Sequence, residues 1–131
     1  MIRSIRAFAL LASAVAVAAS CSSSSSPTAP LTPSEMAGNY TLLTFSQGGT
    51  NVPGTTGAMT LTTTRYAVTL NIPPSTTQID SGTYTISGNS FSQTSDVNHL
   101  TFTGSASMSN NVLSVTVTTP GGVVANTWQK N

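Results

Sequence analysis

The chain has 131 residues, a single cysteine and a charged fraction of 5%, against roughly 25% in ordinary soluble domains. Its formal net charge of +1 leaves no basic surface to hold nucleic acid, and one cysteine cannot form an internal disulfide. Whatever folds here must be stabilised by packing and backbone hydrogen bonds, with serine and threonine doing the solvating.

The first twenty residues have the plan of an export signal: Arg3 and Arg6 give a positive start, 7–19 are almost wholly apolar, and small residues close the segment. The run is shorter than the roughly 20 apolar residues that span a bilayer, so it is expected to be removed. Its end, Ala18-Ala19-Ser20-Cys21, resembles the lipobox of bacterial lipoproteins, with Ala18 where that family usually has Leu. The resemblance implies that Cys21 is acylated and becomes the new N-terminus, and that the protein is held by its lipid in the bacterial cell envelope. Ser22 is not the Asp that retains such lipoproteins at the inner membrane, so the resemblance implies the outer membrane. Cleavage after Ala16-Val17-Ala18 would instead release a secreted protein with Cys21 as a free thiol. Several acyl chains are needed for firm anchoring, because each buried methylene contributes only about 0.8 kcal/mol.

Residues 21–34 then read as the lipidated cysteine followed by a spacer, the run Ser22 to Ser26 and then a segment with three prolines, with little to bury, flexible in the first part and locally extended in the second. The folded domain is placed at 35–131. Without the leader, Arg65 and Lys130 face Glu35, Asp80 and Asp96, a net charge of −1.

From there the chain alternates. In Tyr66-Ala67-Val68-Thr69-Leu70-Asn71-Ile72 and in Leu113-Ser114-Val115-Thr116-Val117-Thr118 the larger apolar residues fall at every second position, the period of a strand with one wet face. No window after the leader has helical spacing. The alternation predicts eight strands, at 38–46, 57–63, 65–72, 80–87, 90–95, 98–108, 111–118 and 122–130. A repeat runs through them: Gly38, Gly57, Gly82 and Gly104 each open a segment of small or polar residues alternating with larger ones, with starts 19, 25 and 22 residues apart. Gly88-Asn89 and Asn110-Asn111 supply the chemistry of tight hairpins.

The expected fold is all-β, an eight-stranded antiparallel up-and-down barrel, with a small immunoglobulin-type β-sandwich as the alternative. The two differ in whether the first strand pairs with the last. In the barrel, tight connections near Thr64, Gly88 and Asn110 lie at one end, and longer ones at 47–56, 73–79, 95–98 and 119–122 ring the other. Gly38-Asn39-Tyr40 at the first strand, the long first loop, and Trp128 with Lys130 in the closing strand resemble the lipocalin-like bacterial lipoproteins, over 38–131. Tyr40 stands where lipocalins usually carry Trp. Eight strands leave room for side chains or for one small ligand, and inward residues such as Tyr40, Tyr66, Tyr84, Phe91 and Trp128 are expected to fill most of it.

Chemistry-bearing sets are sparse. His99, Asp96 and any of many serines can be drawn as a triad, but there is no Gly-x-Ser-x-Gly elbow, and one histidine with two aspartates makes a poor zinc set. Asp80, Asp96 and Glu35 are the only acids for a glycosidase pair. No catalytic residue, metal or cofactor is therefore expected, and the protein is read as a non-enzyme. Two roles remain: a monomeric module binding a small apolar ligand, or a partner, at the long-loop end, or a structural envelope module with a filled interior. The membrane, reached through Cys21, is the other expected partner.

Overall fold

The computed structural model describes residues 29–131; the expected export signal, Cys21 and the serine run lie outside the described residues. These comprise α1 (Pro33–Met36), β1 (Gly38–Gln47), β2 (Thr50–Asn51), β3 (Thr56–Leu61), β4 (Arg65–Ile72), β5 (Thr76–Ser87), β6 (Ser90–Ser95), β7 (Thr101–Ser109), β8 (Val112–Thr119) and β9 (Gly122–Lys130). β2 only folds back on the end of β1, Ser46 against Asn51. The other eight strands pair antiparallel in chain order, and β1 pairs with β9. The sheet is thus a closed eight-stranded barrel, and the sandwich is excluded by the pairing of its first and last strands.

Alternation sets the inner and outer faces. Leu113, Val115 and Val117 of β8 are buried while Ser114 and Thr116 between them are less so. β1 departs from strict alternation at a bulge. Leu42 pairs with Trp128 and Thr44 with Thr127, leaving Leu43 as the extra residue. The bulge shifts the phase by one, so Tyr40 and Leu42 before it and Phe45 after it all bury their side chains, and Leu43 is left exposed.

Three strand boundaries differ from the alternation by two residues or more. β5 begins at Thr76, not at 80, because 76–80 pair with Ile72 to Val68 of β4, and the connection expected at 73–79 shrinks to 73–75. The polar run Ser75-Thr76-Thr77-Gln78 conceals a strand whose inner face is itself polar. β7 begins at Thr101, not at 98: Asn98 Oδ1 accepts the Leu100 amide at 2.9 Å and His99 takes a left-handed backbone with φ of 59°, a local turn that competes with the ladder. β3 stops at Leu61 because the Thr62 hydroxyl accepts the Thr64 and Arg65 amides, turning the chain.

The glycine repeat finds its reason in the barrel wall. The first two copies lie on β1 and β3, consecutive long strands joined by the long first loop, and the last two on β5 and β7. Gly82 stands opposite Tyr66 and Ser95, and Gly104 opposite Phe91 and Val117. A Cβ at Gly82 would collide with the Thr94 carbonyl, and one at Gly104 with the Thr116 carbonyl. Glycine lets the sheet bend sharply there. Tyr66 and Phe91 are the ladder partners of these glycines, and Phe91 stacks on Tyr84 with ring centroids 5.8 Å apart.

One end of the barrel is plugged. Thr32 caps α1 through a capping box with Glu35, Pro33 starts the helix, and Met36 is fully buried. Tyr40 Oη donates to the Met36 carbonyl at 2.6 Å, and Tyr84 Oη to the Thr62 carbonyl at 2.6 Å. Leu31 packs on the same core. The last residues of the Ser/Pro-rich stretch are therefore part of the packed structure.

Candidate ligand-binding cavity

Side chains fill the barrel from the α1 end only part of the way. Trp128, flanked by Leu42 and Leu113 in adjacent strands, is 2% exposed, and with Met36, Leu61 and Tyr66 it floors a cavity of about 190 Å³. The walls are Val68, Leu70, Val115 and Val117, and the cavity reaches Gln47, Gln78 and Thr119 at the end bearing the 48–55 and 96–100 connections; the connection expected to be long at 119–122 is a tight turn, with Thr119 pairing to Gly122. Gln47 and Gln78 are exposed there, so the apolar interior ends in a polar rim. The expectation of a largely filled interior thus holds for the plugged end and not for the other. Volumes, not alternation, decide this: β5 contributes Gln78, Asp80 and Gly82 to the inner face where β8 contributes Leu113, Val115 and Val117.

Asp80 is the charged residue on the cavity wall. Tyr66 Oη donates to its Oδ2 at 2.8 Å, Ser95 Oγ to its Oδ1 at 2.5 Å, and the Ser81 amide to Oδ1 at 2.9 Å. Ser95 is 1% exposed, and its hydroxyl also accepts the amides of Val97 and Asn98, so one side chain fixes both the carboxylate and the 96–100 loop. Burial, reinforced by the bond to Asp80, pushes the Tyr66 phenol well above its ordinary value, which keeps it a donor. A break in the wall adjoins the site: β5 pairs with β4 from Thr76 onward, but with β6 only from Gly82, so 76–80 overhang the rim.

The other residues weighed from the sequence fall elsewhere. Asp96 pairs with Arg65 on the surface, both about half exposed. His99 lies exposed in the 96–100 loop, its amide donating to the Ser95 carbonyl, and no hydrogen bond joins it to Asp96 among the described residues. Glu35 is spent on the α1 cap. The three acids are thus separated into a cap, a surface pair and a cavity wall. Among the described residues no three His, Cys, Asp or Glu side chains gather as metal ligands would. Cys21, the expected acylation site, lies outside the described residues. The alternation of the strand expected at 80–87 puts Asp80 on the same face as Gly82 and Tyr84, but its partners Tyr66 and Ser95 come from the two neighbouring strands, so only the fold assembles the cluster.

Trp128 Nε1 donates to Asn126 Oδ1 at 2.8 Å, so the indole is tied to a side chain that lines the same cavity. No family model, no curated protein and no solved structure matches this chain.

Proposed function

We propose that the protein is a lipid-anchored envelope lipoprotein of lipocalin type, whose barrel binds a small, largely apolar molecule through its loop end and performs no catalysis. The hollow half of the barrel carries this reading: about 190 Å³ exceeds the roughly 150 Å³ of apolar protein cavities that admit benzene, and the polar rim can orient what enters. The capped opposite end leaves one mouth. Support for the anchor comes from the export signal, from Cys21 at its junction with the serine run, and from a spacer that joins the plugged end of the barrel.

Trp128 is the only tryptophan and lines the cavity, so its fluorescence reports occupancy. Titration with phenethyl alcohol should give a saturable change in emission, and a Leu70→Phe substitution, which narrows the cavity without adding a second indole, should weaken it markedly. A protein that binds no small apolar probe would instead be the structural module with no ligand. For the anchor, Cys21→Ser should move the protein from the membrane to the soluble fraction; unchanged fractionation would refute lipidation.

A further inference from the structure

We infer that the ligand is a small amine, its protonated nitrogen held by Asp80 and its apolar body lying in the cavity. This rests on the ligand-binding reading and adds the charge of the molecule bound. The cavity has an acid on its wall and no cation to neutralise it. The ion pair found among the described residues is Arg65–Asp96 on the surface, and Lys130 Nζ donates to the Glu35 carbonyl beyond the plugged end. A carboxylate has about four lone-pair sites. Ser95 and Ser81 take two on Oδ1 and Tyr66 takes one on Oδ2, which leaves Oδ2 able to accept one more donor. Those three bonds also fix the carboxylate in place, so an incoming ammonium meets an oriented acceptor and little side-chain entropy is lost on binding.

Position favours a cation as well. Asp80 is partly exposed and lies where β5 overhangs β6, so an ammonium can pair with it near the mouth and keep part of its hydration, which lowers the desolvation penalty of a buried ion pair. A carboxylate ligand would face repulsion at the same point. The remaining polar groups near the mouth, Gln47, Gln78 and Thr119, are neutral and bias neither charge. The volume suits a body of one aromatic ring or a short alkyl chain.

Three probes with one body separate the possibilities: phenethylamine, phenethyl alcohol and phenylacetate, titrated into the purified protein by calorimetry and Trp128 fluorescence. The amine should bind about tenfold or more tightly than the alcohol, as expected for a hydrogen bond to a charged group, with phenylacetate weakest and the amine's advantage shrinking as salt is added. Asp80→Asn should cost the amine far more affinity than the alcohol, so that the two come to bind about equally. Equal binding of amine and alcohol by the wild type, or tightest binding of phenylacetate, overturns the inference while leaving the ligand-binding reading intact. Failure of all three to bind overturns both. Should Asp80→Asn not fold, the wild-type ranking and its salt dependence still decide.

Discussion

All three tyrosines commit their hydroxyls to the interior: Tyr40 to the Met36 carbonyl, Tyr84 to the Thr62 carbonyl, Tyr66 to Asp80. Burial raises each phenol, Tyr40 to about 12 with a further push from Tyr84, and Tyr66 and Tyr84 in the same direction. In the unfolded chain they ionise near 10. Between these values the unfolded state gives up protons that the folded state keeps, so the stability tied to the neutral phenols is complete below about pH 10 and is lost as pH rises beyond it. The expected titration shows no phenolate absorbance at the ordinary tyrosine value, then a rise that coincides with loss of near-ultraviolet circular dichroism. A phenolate signal near pH 10 from a still-folded protein would mean that a hydroxyl is not held as described. Of this residue-level chemistry little was legible beforehand. Alternation marks Tyr66 as inward, but its acid partner is supplied by the facing strand, and nothing local to Asp80 announces that partner.

Strands were legible where one face is apolar and the other polar, as in β4 and β8. They were not where the inward face turns polar, as in the first half of β5, or where local side-chain bonds divert the backbone, as at Asn98 and His99. The glycine repeat was visible as a pattern, whereas its cause at Gly57, Gly82 and Gly104, close approach to the carbonyl of the next strand, is a property of the curved wall. That cause is testable element by element. Gly104→Ala places a methyl against the Thr116 carbonyl and should destabilise by about 3 kcal/mol, the upper range for overpacking. Gly88→Ala, with open space around it but a left-handed backbone, should cost about 1 kcal/mol. Urea midpoints at constant slope measure both; equal effects would deny that wall packing sets the repeat. Likewise Tyr40→Phe leaves the Met36 carbonyl without its phenol donor and should destabilise by about 1–2 kcal/mol, loosening the plug rather than the sheet.

At the scale of the molecule, closure is the property that strand counting anticipated and that the β1–β9 seam realises. Besides its ladder the seam carries a Thr44–Thr127 hydroxyl pair at 2.7 Å and a bond from Thr41 Oγ1 to Asn131 Oδ1 at 3.2 Å, and it buries Trp128 beneath Leu42. The cavity could not be anticipated in the same way, because it depends on the summed volumes of inward residues from all eight strands and on a bulge in one of them. A closed barrel has no edge strand from which to unravel, so its first and last strands should open only with the whole. Native-state hydrogen exchange tests this. Amides along the β1–β9 seam should exchange with the same free energy as those of the β7–β8 ladder, converging on the global unfolding value. The overhanging residues 76–80, paired on one side only, should exchange sooner by local opening. Seam amides that exchange far below the global value would mean that β9 detaches as a separable strand. The cavity floored by Trp128 would then be lost before the rest of the fold, and occupancy by a ligand should slow that detachment in proportion to its affinity.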